Sequence, residues 1–152
     1  MQMPFQEALV IAVVLLNAYS LGANCVERFV NYQTWPLIGA GAFKTYHKAQ
    51  QPLIQIFVVA PTAVGFLLQI LLLWNVPEGV DLRVLRGMVM ASAVGGISTA
   101  VLQLPIHVTF NRYGYSPALM RKLLRTDWIR KAADGVRLAA TVVLLHEIVR
   151  AR

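Results

Sequence analysis

From Gly87 to Asn111 the chain carries no Asp, Glu, Lys or Arg before Arg112 interrupts it. A run of that length and composition has few homes: the hydrocarbon core of a bilayer takes roughly 20 residues of helix. Three further apolar blocks follow the same rule, so four spans are expected, at about 5 to 26, 52 to 74, 88 to 110 and 129 to 149. Only 14% of the residues are charged and mean hydropathy is +0.58, against about 25% charged in soluble domains. The spacing predicts an all-α, polytopic membrane protein in which residues 1–152 form a single domain, an up-and-down bundle of four transmembrane helices.

The ends of the spans carry the remaining information. Met1 to Glu7 holds an acid and no base, so the first block reads as a spanning helix rather than a secretion signal. Net charge is +7, which in a soluble protein would raise nucleic acid as a partner. Here the bases sort by side. Arg28, Lys44, Lys48, Arg112, Arg121, Lys122, Arg125, Arg130 and Lys131 gather at the first and third connections, whereas Arg83, Arg86, Arg150 and Arg152 lie at the opposite ends. That asymmetry predicts a cytoplasmic first and third connection with both termini outside, in an inner membrane of bacterial type, with membrane lipid and no nucleic acid as partner. Tyr32 and Trp35 are expected at the membrane interface, and Pro36 and Gly39 to form a turn. Ser116 and Pro117 look like the start of a short amphipathic surface helix before the last span. Gly87, Ala91, Gly95 and Gly96 are expected to let a neighbouring helix approach closely. Cys25 is the only cysteine, so no intrachain disulfide forms.

Polar residues inside the spans concentrate at one end. Gln103, His107 and Asn111 are four apart, a spacing that lines one helical face. If Pro52 only kinks its helix, His47, Gln51 and Gln55 form a second such stripe. Asn17 and Gln69 read as interhelical hydrogen-bonding groups. Asn24 and Glu27 close the first span, and Arg130, Asp134 and Arg137 open the fourth. In an antiparallel bundle these four sets meet at one end. Polar groups in lipid need partners or a wet hollow, so the expectation is a pocket near the cytoplasmic leaflet. His107, Glu27 and Asp134 are the candidate acid-base residues. Asn24, His47, Gln55, Gln103, Asn111, Arg130 and Arg137 are candidates for holding a substrate.

The chemistry expected there is proton transfer on a small lipophilic, polyketide- or isoprenoid-like substrate: oxygenation without a cofactor, cyclisation or epoxide opening. No metal is expected, since Glu27, His47 and His107 do not match a compact ligand motif. Two other readings stand beside this one. His47 and His107 could be the axial ligands of a haem in an electron-carrying subunit, or the pocket could belong to a non-catalytic binding or transport subunit. A homo-oligomer is left open. No His-Glu-x-x-His, Gly-x-Ser-x-Gly or nucleotide fingerprint occurs.

A family likeness can be added on particular residues. Tyr46-His47 opens the second span, Leu104-Pro105-Ile106 followed by Asn111 closes the third, and Trp128-Ile129-Arg130 with Arg137 opens the fourth. In this order the chain resembles the small four-helix integral membrane proteins related to anthrone oxygenases, over most of its length. The resemblance implies a cofactor-independent enzyme in which a base deprotonates an activated carbon acid before dioxygen reacts.

Overall fold

The computed structural model describes residues 5–151. These residues form four long helices: α1 (Phe5–Leu37), α2 (Ala40–Trp74), α3 (Leu82–Tyr113) and α4 (Pro117–Arg150). They run up and down, so the end of α1, the start of α2, the end of α3 and the start of α4 lie together. Three of them, α1 to α3, are long and apolar enough to cross a membrane.

The helices exceed the expected spans. Of residues 29 to 39, expected as a turn-bearing connection, 29 to 37 stay helical, and only Ile38 and Gly39 separate α1 from α2. Pro52 lies inside α2 without ending it. The separate surface helix is not found: from Pro117 the chain stays helical for 34 residues, about 51 Å at 1.5 Å per residue. Ser116 does cap this helix, accepting from the Leu119 N–H at 3.5 Å. Met120 and Leu123, on its first two turns, are buried against Phe110 and Phe43 instead of resting on a surface. The helix runs through Thr126 without a break, and Asp127 turns inward.

By composition α4 is not among the membrane-length apolar helices, yet the charges of its middle turns face inward, while Arg121, Lys122, Arg125 and Arg150 near its two ends are exposed. Arg130, Asp134 and Arg137 are buried, while Val136, Val142, Leu145 and Val149 are exposed. The other helices show the same inversion: Leu15, Leu67 and Ile97 are each more than 60% exposed. Such a continuous apolar exterior exceeds what soluble monomers present.

Two turns set the connections. Gly114 ends α3 at φ 86°, ψ −166°, a conformation open essentially to glycine alone. Asp81 caps α3, accepting from the Arg83 N–H at 2.8 Å, and its side-chain hydrogen bond with Arg83 holds its carboxyl below the usual range. Of the small residues expected to bring helices together, Gly95 faces Ala133 and Ala91 is buried, but Gly87 and Gly96 meet no neighbour. The close approach between α1 and α2 is instead at Gly65, against Leu16.

The interior has three levels. At the end bearing both termini, Leu9, Val10, Val13, Leu72, Leu85, Met88 and Leu144 make an aliphatic core. Midway, one hydrogen-bonded set ties all four helices. Asn17 donates to Thr141 (3.0 Å), Gln69 donates to Asn17 (2.7 Å) and Ser92 donates to Gln69 (2.8 Å). This is the interhelical role expected of Asn17 and Gln69. At the far end lie the aromatic core of Tyr32, Trp35, Phe43 and Phe110 and the buried charges.

Candidate active site

Three of the four helices depart from α geometry at the same level. Glu27–Asn31 in α1, Gln55–Val59 in α2 and Thr99–Gln103 in α3 are π-helical turns. A π turn accommodates an extra residue, widens the helix and re-aims side chains, and such turns recur at functional sites. Each of these three contributes to the wall of one cavity: Glu27 from the first, Gln55, Val58 and Val59 from the second, Thr99 and Gln103 from the third. Tyr32, Trp35, His47, Gln50, Gln51, Ile54, Leu104, His107 and Arg130 complete the lining, around a volume of about 100 Å³. Val59 and Leu104 are also about half exposed on the apolar exterior, so the cavity has an apolar edge between α2 and α3.

The two histidines meet on its wall. His47 Nε2 and His107 Nδ1 are 3.1 Å apart, with rings stacked at 5.3 Å between centroids and 17° between planes. His47 Nδ1 lies 2.7 Å from Asn111 Oδ1, and Asn111 Nδ2 donates to Gln51 Oε1 at 2.6 Å. Tyr32 Oη lies 3.4 Å from His107 Nε2. These contacts fix every proton in the neutral chain. Asn111 Oδ1 can only accept, so His47 Nδ1 carries its hydrogen. His47 Nε2 is then the acceptor for His107 Nδ1–H, and His107 Nε2 is left to accept from the Tyr32 hydroxyl. A single directed row of hydrogen bonds therefore runs from Tyr32 through both imidazoles to Asn111 and Gln51. Trp35 packs edge-on against both rings, at 5.0 Å from His47 and 5.8 Å from His107. Phe43 stacks on His47, with 5.6 Å between ring centroids.

Around this row the charges form two groups. Asp127, fully buried, takes Arg130 at 2.6 Å, Arg28 at 3.7 Å and the Gln103 amide at 3.4 Å. Asp134 takes Arg137 at 2.8 Å, Lys131 at 3.4 Å and the Asn24 amide at 3.2 Å. Lys131 also donates to the Asn24 carbonyl at 3.0 Å. Glu27 is buried on the cavity wall and accepts from the Asn31 amide at 2.5 Å. Among the described residues no cation lies within ion-pair distance of it.

Of the residues singled out in the sequence, Glu27, His47, Gln55, Gln103, His107 and Arg130 line the cavity. Asn111 does not; it anchors His47 from behind. Asn24, Asp134 and Arg137 form their own ion-paired group, and none of the three is on the lining. Although Arg130, Asp134 and Arg137 share a helix face, Asp134 pairs with Arg137 and Lys131, and Arg130 turns to Asp127. Tyr32 and Trp35, expected at a membrane interface, are instead 2% and 1% exposed and face the histidines. Asp127 was missed altogether, since next to Thr126 it has the look of a helix cap. Its spacing of three from Arg130 was the available signal.

A haem does not fit between the histidines. Two axial nitrogens must be about 4 Å apart with iron between them, twice a metal–nitrogen bond of about 2.0 Å. Here the facing nitrogens are hydrogen-bonded to each other, and the outer two meet Asn111 and Tyr32. Among the described residues no group of three His, Cys, Asp or Glu is arranged to hold a metal ion. No family model, curated protein or solved structure matches the chain.

Proposed function

We propose that all four helices lie in a bilayer, with the π-turn level toward the cytoplasmic leaflet, and that the cavity is the active site of an enzyme performing proton transfer on a small lipophilic substrate. The observation that carries this reading is the directed row from Tyr32 to Gln51, which ends on a cavity wall shared with Glu27 and Arg130. The inward turn of Asp127, Arg130, Asp134 and Arg137 supports the membrane placement of α4, and the apolar edge at Val59 and Leu104 supports entry from lipid.

In this mechanism His107 Nε2 is the base. The Tyr32 hydroxyl swings from that nitrogen to a substrate carbonyl oxygen, and Nε2 takes a proton from a carbon that this carbonyl acidifies, directly or through a conjugated ring. The C–H bond breaks, its electron pair passes into the enolate, and a new N–H bond forms. His107 Nδ1–H is already hydrogen-bonded to His47 Nε2, so the imidazolium charge is shared over two rings. Arg130 and Tyr32 hold the enolate oxygen. Glu27, on the lining of the same cavity, is the second acid-base group. The resulting carbanion is reactive toward dioxygen, or can be reprotonated at another carbon. At about 100 Å³ the cavity is smaller than the about 150 Å³ hollow that admits benzene. Only the reacting part of a polycycle therefore enters, with the rest lying along the apolar edge.

The test uses anthrone, a carbon acid whose enolate combines with dioxygen to give anthraquinone and water. Purified protein in lipid nanodiscs should accelerate this above the buffer rate, and His107→Gln should lower the acceleration by about 10²- to 10⁴-fold, the usual range for a general base. Equal rates for the two folded proteins would remove His107 as the base.

A further inference from the structure

The buried charges at the cavity end do not cancel. Arg28, Arg130, Lys131 and Arg137 face only Glu27, Asp127 and Asp134 there, and the side chains of all seven are largely buried. The other four carboxylates of the chain, Glu7, Glu78, Asp81 and Glu147, sit at the opposite end. In either protonation state of Glu27, cations outnumber carboxylates, and the chain has no further carboxylate at this end to balance them. Uncompensated buried charge is among the costliest arrangements in a protein.

A second observation is independent of charge. Four residues on the cavity lining each have a buried polar atom without a hydrogen-bond partner: Trp35 Nε1, Arg130 Nε, Gln50 Oε1 and Gln103 Oε1. Buried polar groups are normally satisfied. Two of these atoms donate and two accept, so the missing partner must offer both an acceptor and a donor.

We propose that the cavity binds the head of a lipophilic anion carrying one negative oxygen centre and a neighbouring hydroxyl, such as a hydroxyaryl carboxylate or a hydroxylated phenolate or enolate. The anionic oxygen balances the charge excess and accepts from Arg130 and Trp35, while the hydroxyl donates to Gln103 or Gln50. The apolar body leaves past Val59 and Leu104. This names the substrate class for the site described above, and it rests on that site being a ligand cavity but not on its catalysing any reaction.

The experiment is titration calorimetry on the full chain in uncharged-lipid nanodiscs with three probes of one shape: 3-hydroxy-2-naphthoate, 2-naphthoate and methyl 3-hydroxy-2-naphthoate. The first should bind once per chain, the second about 3- to 10-fold more weakly, and the ester at least about 10-fold more weakly, the order expected when a charged and then a neutral hydrogen bond are lost. Arg130→Gln should bring acid and ester within about 3-fold. Because that change also strips Asp127 of a partner, Trp35→Phe is the companion variant; it keeps an aromatic ring without the N–H and should weaken the acid more than the ester, by about 3- to 10-fold. His107→Gln should keep the acid preference even where oxygenation is lost, so failure of the chemistry and failure of the anion site are read separately. Equal affinity for acid and ester in the native chain would overturn the proposal. So would displacement of the acid by about 20 mol% phosphatidylglycerol, which would assign the charge excess to a lipid phosphate.

Discussion

The two ends of the bundle are built by opposite rules. At the end bearing the termini, α geometry is regular and Leu9, Val13, Leu72, Leu85 and Leu144 interlock without a polar atom. At the other end, three helices carry a π turn, the core is aromatic, and charges, amides and imidazoles are enclosed together. In the bilayer placement proposed above, lipid would reward neither end through hydrophobic burial, since its tails are as apolar as leucine, and packing and hydrogen bonding would have to hold both. The difference shows that stability and specificity are divided along the helix axes. One end clamps the bundle, and the other is free to hold a cavity that an optimally packed core would close.

The largest effect is expected from Asp127→Ala. It leaves Arg28 and Arg130 buried without their shared carboxylate, a loss of about 3–5 kcal/mol for a broken buried pair. Denaturation in mixed micelles measures it, and a loss below that of an aliphatic truncation would mean that water reaches these charges. Leu85→Ala comes next, at about 3 kcal/mol from the contacts and cavity of a fully buried leucine. Anthrone turnover at a temperature where the variant is folded should be unchanged; a change in turnover would show that the two ends are not separable. Gln69→Leu should cost only about 1 kcal/mol, in keeping with hydrogen bonds between membrane helices, because the level it occupies joins the two ends without belonging to either. Deleting Phe57 should have the smallest effect on stability and the clearest effect on function. It converts the α2 π turn to a regular α turn, leaves the flanking faces in register, and re-aims Gln55, Val58 and Val59. Circular dichroism and melting should stay the same while turnover falls at least about 10-fold.

Much of this fold could be read from the order of residues. The apolar blocks located the helices, and antiparallel order alone brought Glu27, His47, His107 and Arg130 to one end. What escaped had physical reasons. A π turn has no composition of its own, so Gln55 to Val59 looks like any apolar helical stretch. Tyr32 and Trp35 have the amphipathic rings that suit a membrane interface equally well, and only tertiary packing decides that they close around the histidines. The 34-residue α4 was divided in two because its Lys- and Arg-rich first turns looked like a surface helix. Yet Met120 and Leu123 on that stretch pack into the aromatic core, and the helix runs on unbroken.

The row of hydrogen bonds through His47 ends on an amide. Asn111 can receive a hydrogen bond but cannot pass a proton onward, so whatever His107 collects has no exit at that side and must return by the way it came. The pair is then a loan rather than a drain. It suits reactions that take a hydron from one position of a molecule and give it back to the same molecule, to another carbon or to the peroxide oxygen that dioxygen leaves there; in a carbon-to-carbon shift, deuterium lifted from a labelled substrate should reappear in the product before it washes into water.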